Sequence, residues 1–593
     1  MSLQPFLDNF AELTASPNGI QQLRELVLDL AISGKIVSQD PNDEPATILA
    51  DRIKKDREHL ESIGKIRKSD PLEAIKDYEL PRILPAGWTY NRLGNLLYII
   101  RGASPRPKGD PKYFSIARTP YHWIKISDIK KYSEGWVLKD TDEFLTEDGC
   151  KKSVYLEKGT FILSNSATIG VPCILGINGC IHDGYLAFPS LNEKFLTAKY
   201  LYYFFQHFQS ELKRRAFGGA QLNLNTGIVK EVVFPLPPYE EQKRIVAKID
   251  ELMRLADELE ARHQAEHESR LRLNAAVLAP LNKAASLTRK DFEHVTVRLV
   301  DNFDKLYHSI DAVAKLRSTI LQLAAVGKLI PQDRNDEPAS VLLANIHNLK
   351  QGFVQSGQIK ARLAAIRSGA KLPPLPVGWQ WTTLDDVLIS LRNGISVPPQ
   401  DFGNTRLLRI SALRPNLVNI NEFRYLSESS ENYEGFRVDA GDLLFTRYSG
   451  NRDFVGICGV VPQHDEPLIH PDKLIRGRLI PGGLWPEFLS IVMNTGVSRS
   501  FVEARLKTTA GQVGIAGREL KMTPIPVAPL EEQKRIVDKV NQLTSLCDEL
   551  ETKLRQAEAQ SDKLMIAAVQ HVLTTISHEG AIQSDLEQTA LLC

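Results

Sequence analysis

The chain has few of the residues that build metal sites or disulfide frameworks. Its 593 residues include six cysteines, and these show neither a CxxC pair nor a Cys/His spacing typical of zinc ligands. This argues against zinc and against a disulfide framework, and it fits a reducing cytosol, so we expect a cytoplasmic protein. No apolar run reaches about 18 residues, which predicts no spanning helix. The N-terminus lacks the basic start and apolar stretch of a signal peptide.

Strong charge of one sign is also missing. The formal net charge is +1, and the chain is 24% charged and 43% hydrophobic, which is ordinary for a globular protein. A nucleic acid would therefore have to be bound by local basic patches. The sequence also lacks a Walker loop, a GxSxG motif and an HExxH motif. At about 150 residues per domain, the length predicts about four units.

The chain does contain an internal repeat that spans most of its length. Three stretches occur twice, at offsets of 291 to 293 residues. They are LRELVLDLAISGKIVSQDPNDEPATIL (23–49) with LRSTILQLAAVGKLIPQDRNDEPASVL (316–342), LPAGW (84–88) with LPVGW (375–379), and EEQKRIV at 240–246 and 531–537. Between these anchors identity is sparse, which indicates a shared scaffold that carries two variable modules.

Each half begins with a helical block. Apolar residues between positions 23 and 31 recur with helical spacing, and Gly34 is predicted to cap that helix. The turn DPNDEP then precedes a second helix. The repeat predicts corresponding helices over 313–327 and 338–351.

The segments 84–236 and 375–526 combine strand and helix patterns. Short β-like runs, among them WIKI, GTFILS, YLAF, LLRI and GDLLFT, lie between Gly, Pro and Asn turns. Helical stretches interrupt them at TAKYLYYFFQHFQSELKRR and WPEFLSIVMNT. We predict an α+β fold class, with two pseudo-repeated modules joined by long helices.

A long helix is predicted after each module. Apolar residues from 245 and again from 536 alternate by four and three positions, which is the seam of a coiled coil. We predict that the two helices bury these seams against each other; the alternative is burial in the core of each helix's own domain. The seam residues are Ile245, Ile249, Leu252, Leu259, Ile536, Val540, Leu543, Leu550 and Leu554. Leu273, Val277 and Leu564 continue the pattern, and Pro280 is predicted to end the first helix.

The stretch PLPPYEEQKRIV at 235–246 contains the Pro-Pro-Tyr of the Asx-Pro-Pro-Tyr tetrapeptide found in amino-methyltransferases. Leu236 stands where Asx would accept a hydrogen bond from the target amino group, and the second copy loses Pro-Pro-Tyr. The glycine clusters FGGAQLN (217–223) and AGQVGIAG (510–517) lack the strand–turn–helix setting of a cofactor loop. We therefore predict a non-catalytic chain in which this stretch links a strand to a helix.

Charged pairs are predicted within the first turns of both long helices. Glu240 with Arg244, and Glu531 with Arg535, have the i, i+4 spacing of helical ion pairs. His182 and His470 occupy similar places in the two halves, where a lone histidine is more often structural than catalytic.

The first module is basic. Residues 86–235 hold 19 Lys and Arg against 13 Asp and Glu, a net charge of +6. Cations and aromatic residues on Gly/Pro-rich loops suit phosphate contacts and groove insertion; the alternative is a solvated surface. The predicted DNA-binding residues of this module are Arg101, Arg106, Lys108, Lys112, Tyr113, Arg118, His122 and Lys125.

The second module is neutral, with 16 residues of each sign over 377–525. This counts against a nonspecific electrostatic grip on DNA. Its cations are mostly arginine, which suits bidentate contacts to guanine, and asparagine can pair with the edge of adenine. The predicted DNA-binding residues are Arg392, Asn393, Arg406, Arg409, Arg447, Tyr448, Asn451 and Arg452.

Together these features closely resemble the specificity (S) subunit of type I restriction–modification systems, in the form with duplicated conserved regions. The resemblance rests on PLP…EQ.RIV at 235–246 and its altered copy at 526–537. WIKISDI and LLRISAL, and GTFILSNSATIG and GDLLFTRYSGNRDFVG, also look like strands of the family's recognition domains.

The resemblance implies that each target-recognition domain reads one half of a split, asymmetric site on double-stranded DNA. It implies that the long helices form an antiparallel pair that sets the gap between the halves. Two modification subunits would carry S-adenosylmethionine and methylate adenine N6, while restriction subunits would use ATP and Mg in phage defence. This chain would need no cofactor or metal of its own.

The predicted domains follow the repeat. They are an N-terminal helical region (1–80), target-recognition domain 1 (81–238), a central spacer helix (239–290), a second helical region (291–372), target-recognition domain 2 (373–529) and a C-terminal spacer helix with a tail (530–593). Two rival functions remain open at this point: a self-contained DNA methyltransferase, and a coiled-coil adaptor without DNA contact.

Overall fold

A computed structural model describes residues 10–68, 72–217, 224–282, 289–359, 372–509 and 512–578. The chain forms two compact units. Unit 1 comprises Met1–Ala265 and Glu558–Cys593, and unit 2 comprises Glu266–Ala557. Most of FGGAQLN and the start of AGQVGIAG lie outside the described residues. Among those that are described, no helix is long and apolar enough to cross a membrane.

The helical block of unit 1 contains α1 (Phe10–Thr14), α2 (Gly19–Ile32) and α3 (Ala46–Ser62). The apolar stripe of α2 is buried, as its spacing predicts. Gly34 has a φ of +68°, and the amide of Lys35 donates to the carbonyl of Leu30 at 2.8 Å. This is the glycine C-cap that the sequence predicts, and the predicted helix pair is confirmed.

Module 1 follows this block and, within residues 72–217 and 224–236, has thirteen strands and five short or medium helices. The strands are β1 (Thr89–Arg92), β2 (Ile100–Arg101), β3 (Phe114–Ser115), β4 (His122–Ile124), β5 (Ser133–Glu134), β6 (Val137–Leu138), β7 (Glu143–Leu145), β8 (Val154–Leu156), β9 (Phe161–Ser164), β10 (Pro172–Leu175), β11 (Gly179–Ile181), β12 (Tyr185–Ala187) and β13 (Val233–Leu236). The helices are α4 (Leu93–Leu96), α5 (Ile126–Tyr132), α6 (Glu147–Lys151), α7 (Ala198–Phe217) and α8 (Thr226–Lys230), and a 3-10 turn precedes them at Asp77–Glu79.

Unit 2 begins within α9 (Tyr239–Asn282), and its helical block contains α10 (Arg289–Asp301), α11 (Phe303–Leu306), α12 (Ile310–Ala325) and α13 (Ala339–Gln355). The strands of module 2 are β14 (Gln380–Thr383), β15 (Leu388–Asn393), β16 (Thr405–Leu408), β17 (Leu413–Arg414), β18 (Asn416–Val418), β19 (Phe423–Leu426), β20 (Arg437–Val438), β21 (Leu443–Thr446), β22 (Tyr448–Ser449), β23 (Cys458–Val460), β24 (Leu468–Ile469), β25 (Leu474–Leu479), β26 (Lys507–Thr509), β27 (Gln512–Gly514) and β28 (Pro524–Val527).

The helices of module 2 are α14 (Leu384–Val387), α15 (Pro486–Met493), α16 (Gly496–Glu503) and α17 (Gly517–Lys521), followed by the long α18 (Leu530–His578). Single 3-10 turns occur at Ile410–Ala412 and Arg452–Phe454, and Ser430–Phe436 contains two such turns across a kink at Tyr433. The predicted strand and helix runs quoted above all fall on these elements or those of module 1.

The two modules share most of their sheet topology. In addition, β3 extends the second sheet of module 1, and module 2 has a further sheet of order β22-β27-β26. A two-stranded ladder, β1–β13 or β14–β28, closes each module, and its register is shifted by 291 residues between the copies. The six-stranded sheets have the orders β2-β12-β9-β10-β6-β5 and β15-β25-β21-β23-β18-β17, each with one parallel pair. The second sheets share the order β7-β4-β11-β8 and β19-β16-β24-β20. Two α+β modules with one frame are therefore present, although their sequences diverge.

The beginning of each long helix lies in the core of its own unit. Ile245 and Ile249 are fully buried beside Trp88, Phe234 and, from α18, Met565. In unit 2 the buried Ile536 and Val540 join the core around Trp379, and Leu543, Leu550 and Leu554 pack partly against it. Leu252 also packs partly, and Leu259 is half-buried. Ile245, Ile249, Ile536 and Val540 thus lie in domain cores, which is the alternative that the sequence left open. The long helices also share clusters, since Met565 of α18 joins the first core and Leu550 packs in one cluster with Leu271 and Val277 of α9.

Farther along the helices the predicted seam is out of register. Leu273 and Leu564 are exposed, whereas Asn274, Leu278 and Met565 are buried. An α-helix has 3.6 residues per turn, so a heptad pattern drifts around it and the buried stripe moves by one position. Helix α9 also continues through Pro280 to Asn282, two residues beyond its predicted end.

The repeated anchor sequences of unit 1 meet at one junction. The indole Nε1 of Trp88 donates to Glu241 at 3.0 Å, and Arg244 contacts Asp43 of the DPNDEP turn at 2.6 Å. Gly34 lies against the ring of Pro85, where an added Cβ would approach Cγ to 2.5 Å. The side chain of Gln242 is fully buried and donates to the carbonyl of Pro237 at 3.2 Å. The repeated residues thus hold strand, helix and turn together.

Unit 2 builds the same junction from the second copies. Trp379 donates to Glu532 at 3.1 Å, Arg535 pairs with Asp336, and Gln533 donates to the carbonyl of Ala528 at 2.8 Å. The predicted i, i+4 pairs are therefore wrong. Arg244 and Arg535 reach the turn aspartates of the helical blocks instead of Glu240 and Glu531, because those aspartates are nearly buried and need a counter-ion.

Candidate nucleic-acid interface

Equivalent positions in the two modules can be matched by their backbone hydrogen bonds. The amide of Asn165 donates to Gly184, and the amide of Arg447 donates to Lys473, both at 2.8 Å. Their carbonyls in turn accept from Leu224 and Ile515, which are 291 residues apart. Asn165 and Arg447 therefore occupy one position of a shared frame, and this is the frame on which the predicted DNA-binding side chains are placed.

In module 1 several predicted cations gather around Asp183, in the turn between β11 and β12. Arg101 Nε donates to the carbonyl of Asp183 at 2.9 Å, and Arg106 lies 3.9 Å from its carboxylate. The hydroxyl of Ser104 donates to the same carboxylate at 2.7 Å. The turn thus presents exposed basic side chains on a fixed backbone.

The electrostatics of this turn reflect its basic surroundings. Burial lowers the pKa of His182, and the positive charges of Arg106, Lys108 and Lys125 lower it further, against the opposing effect of Asp183. Partial burial acts to raise the pKa of Asp183, but the hydrogen bond from Ser104 and the nearby cations lower it overall. Arg101, Arg106 and Lys108 therefore form one basic cluster, which we call the module 1 turn cluster; Lys125 lies near it but is paired with Glu143.

The remaining candidates of module 1 lie in two other places. Arg118 binds Asp140 at 2.6 Å beside His122, whose pKa is lowered chiefly by burial. Lys112 and Tyr113 lie in space beside the start of α6. The hydroxyl of Thr146, just before that helix, donates to the carbonyl of Lys112 at 2.5 Å. These side chains are available at the surface, but Arg118 already has a counter-ion.

Module 2 has a groove at the position of the module 1 turn cluster. Its lining includes Arg409, Arg424 and Lys473, together with Asp472 and the loop 395–399. Arg409 directly follows β16 and its amide donates to Glu422 at 2.9 Å, which holds the exposed residue at the rim. Although module 2 has no net charge, it concentrates cations here. We call this the Arg409 groove.

The loop 447–455 borders the same region. Arg447 Nη1 donates to the carbonyl of Asp472 at 3.4 Å and stacks on Tyr448. The side chain of Asn451 accepts from the amide of Asp453 at 3.0 Å, and Arg452 donates to the carbonyl of Glu503 at 3.2 Å. These local bonds therefore occupy some of the donor and acceptor groups with which this loop could contact a base.

The other candidates of module 2 are spread over the sheets. Arg392 lies over the ring of Phe436, 4.4 Å from its centroid, and the exposed Asn393 follows it at the end of β15. Arg406 is paired with Glu466 at 2.7 Å and lies over Phe423. In the described part of the module, no side-chain contact joins Arg392, Asn393 or Arg406 to Arg409.

His182 and His470 are close in the frame but not equivalent. The amide of Ala103 donates to Ile181, whereas that of Ile395 donates to His470, so His470 matches Ile181. Successive residues of a strand face opposite sides, and His470 is fully buried while His182 is half-exposed. Burial lowers the pKa of His470 to about 4. Both histidines have structural contacts.

Sequence analysis missed Arg424 and Lys473. Arg424 stands between Phe423 and Tyr425 but has no second cation beside it, and Lys473 has no aromatic residue next to it. Their position in the groove depends on the pairing of β16 with β19 and on the turn before β25. The signal that the sequence offers is a single cation within or directly before a strand-like run, as in FRYL (423–426) and KLIRGRL (473–479).

The Pro-Pro-Tyr stretch has structural contacts only. Leu236 ends β13 in the core. Pro238 packs over Gly87, where an added Cβ would lie 3.7 Å from Cγ of the proline. The hydroxyl of Tyr239 donates to the carbonyl of Glu193 at 2.6 Å. The stretch joins a strand to α9, as the sequence predicts.

The chain is similar to known proteins over most of its length. Residues 85–268 match the family model described as the type I restriction modification DNA specificity domain. The chain is 30% identical over 560 residues to the EcoEI specificity subunit of Escherichia coli, and the alignment covers 91% of each chain. The chain belongs to the specificity subunits of type I restriction enzymes. It is also 29% identical to the EcoAI specificity subunit of Escherichia coli, over 92% of this chain and 93% of that one.

Among solved structures, the HsdS subunit from Thermoanaerobacter tengcongensis is 17% identical, with 83% of this chain and 97% of that one covered and a TM-score of 0.35. As a type I specificity subunit, the chain is a recognition component and not a catalytic one. This agrees with Leu236 in place of the Asx that a base-amino methyltransferase needs.

Proposed function

We propose that this specificity subunit directs a type I restriction–modification complex to a bipartite, asymmetric DNA site, with one half-site read by each module. The observation that supports this is a shared frame that carries different residues at equivalent positions. Lys125 and Arg409 are equivalent, as are Asn165 and Arg447, and Gly184 is replaced by Lys473. Two readers with one backbone and different side chains suit two different half-sites.

The two long helices are proposed to be the spacer between the half-sites. Helix α9 runs from unit 1 into unit 2, and α18 runs from unit 2 into unit 1. We infer an antiparallel coiled-coil pair whose length sets the distance between the modules. Half-sites on a duplex repeat a given orientation about every 34 Å, so a fixed spacer selects one gap.

Partner subunits would supply the chemistry. Modification subunits carrying S-adenosylmethionine would methylate adenine N6 and restriction subunits would use ATP and Mg. The two junctions built around Trp88 and Trp379 are equivalent, so a scaffold of this kind offers two equal docking places for the modification subunits. The chain itself would hold no cofactor.

Exchange of one module tests the proposal. Residues 81–238 are replaced by the corresponding module of a relative with another target, and methylated adenines are mapped across the genome. We expect one half-site to change while the other half and the gap stay the same. If both halves changed, or neither did, two independent readers would be ruled out.

Two further assays separate the rival functions. The purified chain alone, mixed with DNA and labelled S-adenosylmethionine, should transfer no methyl group; transfer would indicate a self-contained methyltransferase. Salt-dependent DNA binding by the assembled complex should weaken when Arg101, Arg106 and Lys112 are changed to alanine. A complex that never binds DNA would favour the adaptor function.

A further inference from the structure

Two arginines of module 2 occupy the positions of an ion pair in module 1. Lys125 Nζ and Glu143 Oε1 are 2.5 Å apart across β4 and β7. Trp123 is paired with Glu143 in that ladder, as Leu407 is paired with Arg424 between β16 and β19. Lys125 and Arg409 each follow the paired residue by two positions. The acid of module 1 is thus replaced by a second cation.

The match is supported on the other side of the strand as well. His122 and Trp123 pair with Gly179 and Cys180 of β11, and Arg406 and Leu407 pair with Leu468 and Ile469 of β24, both in parallel. Lys125 and Arg409 come next in their strands' direction, and each is followed by a helical turn. The carbonyl of Lys125 accepts a backbone hydrogen bond from its turn at 3.0 Å, and the carbonyl of Arg409 accepts one at 3.1 Å. Antiparallel and parallel neighbours therefore give the same alignment.

The two guanidinium groups of module 2 lack counter-ions. Within the described residues, the side chains of Arg409 and Arg424 make no ion pair or hydrogen bond, whereas Arg406 on the same strand is paired with Glu466. Like charges on neighbouring strands destabilise a sheet. A sheet that keeps such a pair presents both groups to a ligand rich in acceptors.

Another part of the lining of the Arg409 groove is apolar and contains two prolines. It is formed by Val397, Pro398 and Pro399. The loop is held by the amide of Ile395, which donates to His470 at 3.1 Å, and by its carbonyl, which accepts from Asp472 at 2.8 Å. Proline restricts the backbone further. A phosphate would be desolvated against this part of the lining, whereas a base edge combines acceptors with apolar surface.

We propose that Arg409 and Arg424 read a guanine through its O6 and N7 acceptors in the half-site of module 2. Bidentate arginine contacts of this kind are the commonest specific contacts in the major groove. The inference rests on the proposed function, because it assumes that module 2 reads DNA. Module 1 has a neutral ion pair at these positions and reads its half-site without this contact.

The test uses the full chain produced with its modification subunits, and methylated adenines are mapped in the genome. The variants are Arg409→Ala and Arg424→Glu; the second restores the charges of the module 1 pair, so the sheet should still fold. Arg437→Ala, which removes an arginine paired with Asp439, is the matched control. We expect one guanine position of one half-site to become degenerate in both variants and in neither the control nor the other half-site.

A second measurement changes the DNA instead of the protein. Replacing the identified guanine by 7-deazaguanine removes N7, and we expect binding of the unmodified protein to weaken by about 10- to 100-fold. The Arg409→Ala complex should be much less sensitive to the same replacement. Full affinity for the 7-deazaguanine duplex would overturn the proposal, whether or not the variants fold.

Other results would also overturn it, and they differ from a failure of the proposed function. Equal weakening on all sequences, with a smaller salt dependence, would assign the arginines to phosphates. A module 2 half-site without guanine would exclude the contact. If exchange of residues 373–529 changes one half-site but the arginine variants relax no position, only this inference fails; if that exchange changes neither half-site, the proposed function fails first.

Discussion

The indole of Trp88 donates a hydrogen bond to Glu241, 153 residues later, and Trp379 makes the same bond to Glu532 across the same separation. Each bond joins the start of a module to the first turn of its long helix. Both carboxyl groups are buried, and an indole N–H left without its acceptor there would be costly. The direction in which each helix leaves its module therefore depends on this contact.

The buried carboxyl predicts a pH effect on stability. Burial raises the pKa of Glu241, although hydrogen bonds from Gln39 and Trp88 oppose it. A raised folded-state pKa gives stability that is present below the unfolded value and is lost as the pH rises through the folded value. We expect Glu241→Gln, which stays neutral, to gain stability relative to the wild type as the pH rises above the unfolded value of about 4.3. Hydrogen-exchange protection of α9 measures this, and the same trend in the exposed control Glu240→Gln would contradict it.

Gly34 and Gly64 offer a matched test of the junction. Both have positive φ, +68° and +75°, but a Cβ at Gly34 would reach 2.5 Å from Pro85 and one at Gly64 would meet nothing within 4 Å. We expect Gly64→Ala to cost about 1 kcal/mol for its backbone conformation. Gly34→Ala should cost roughly 1–3 kcal/mol more because it overpacks the junction. Denaturant unfolding compares them, and equal costs would show that the junction yields freely.

The buried His470 predicts that module 2 is sensitive to acid. Burial lowers its pKa to about 4. Since the unfolded value is about 6.5, its contribution to stability is present above that pH and is lost as the pH falls toward the folded value, up to about 3 kcal/mol. We expect hydrogen-exchange protection of β24 and β25 to fall in this window. His470→Asn should lower protection at pH 8 but flatten the trend; an unchanged trend would assign it to another group.

The module 1 turn cluster predicts a salt effect on DNA binding. If Arg106 and Lys108 contact phosphates, removing each should lower the slope of log K against log salt by about 0.9. The affinity should fall on all sequences alike, because phosphate contacts do not read bases. Binding titrations at several salt concentrations test this. Lys151→Ala serves as the control, since that lysine is paired with Glu147 at 2.7 Å, and an equal effect there would mean that only total charge matters.

The proposed spacer predicts that helix length sets the gap of the target site. Four residues inserted into 256–262 add about 6 Å of rise. We expect a longer gap between the methylated half-sites while both half-site sequences stay the same. Glu258→Gln, which changes the same segment without lengthening it, should leave the gap unaltered. An unchanged gap after the insertion would show that α9 does not act as the ruler.

The local features of the fold were largely predictable from the sequence. Helical spacing and Gly34 located α2 and its cap, and the runs WIKI and GDLLFT fall on β4 and β21. The pairings of charged side chains were not predictable in this way. Arg244 lies one turn from Glu240 but pairs with Asp43. The Asp43 carboxylate is nearly buried in another segment, so it gains more from a counter-ion than the exposed Glu240 does. Sequence spacing describes one helix, and ion pairs depend on what that helix meets.

The sequence by itself determined that this chain is built twice and where each module ends, because repeated residues such as Trp88 and Glu241 are recognisable without their partners. It also determined that the chain lacks the Asx of a base-amino methyltransferase. Only the tertiary structure decided that Arg424 stands beside Arg409 where Glu143 pairs with Lys125. Strand register brings together residues that no spacing connects, and a shift of one residue would turn them to opposite faces of the sheet.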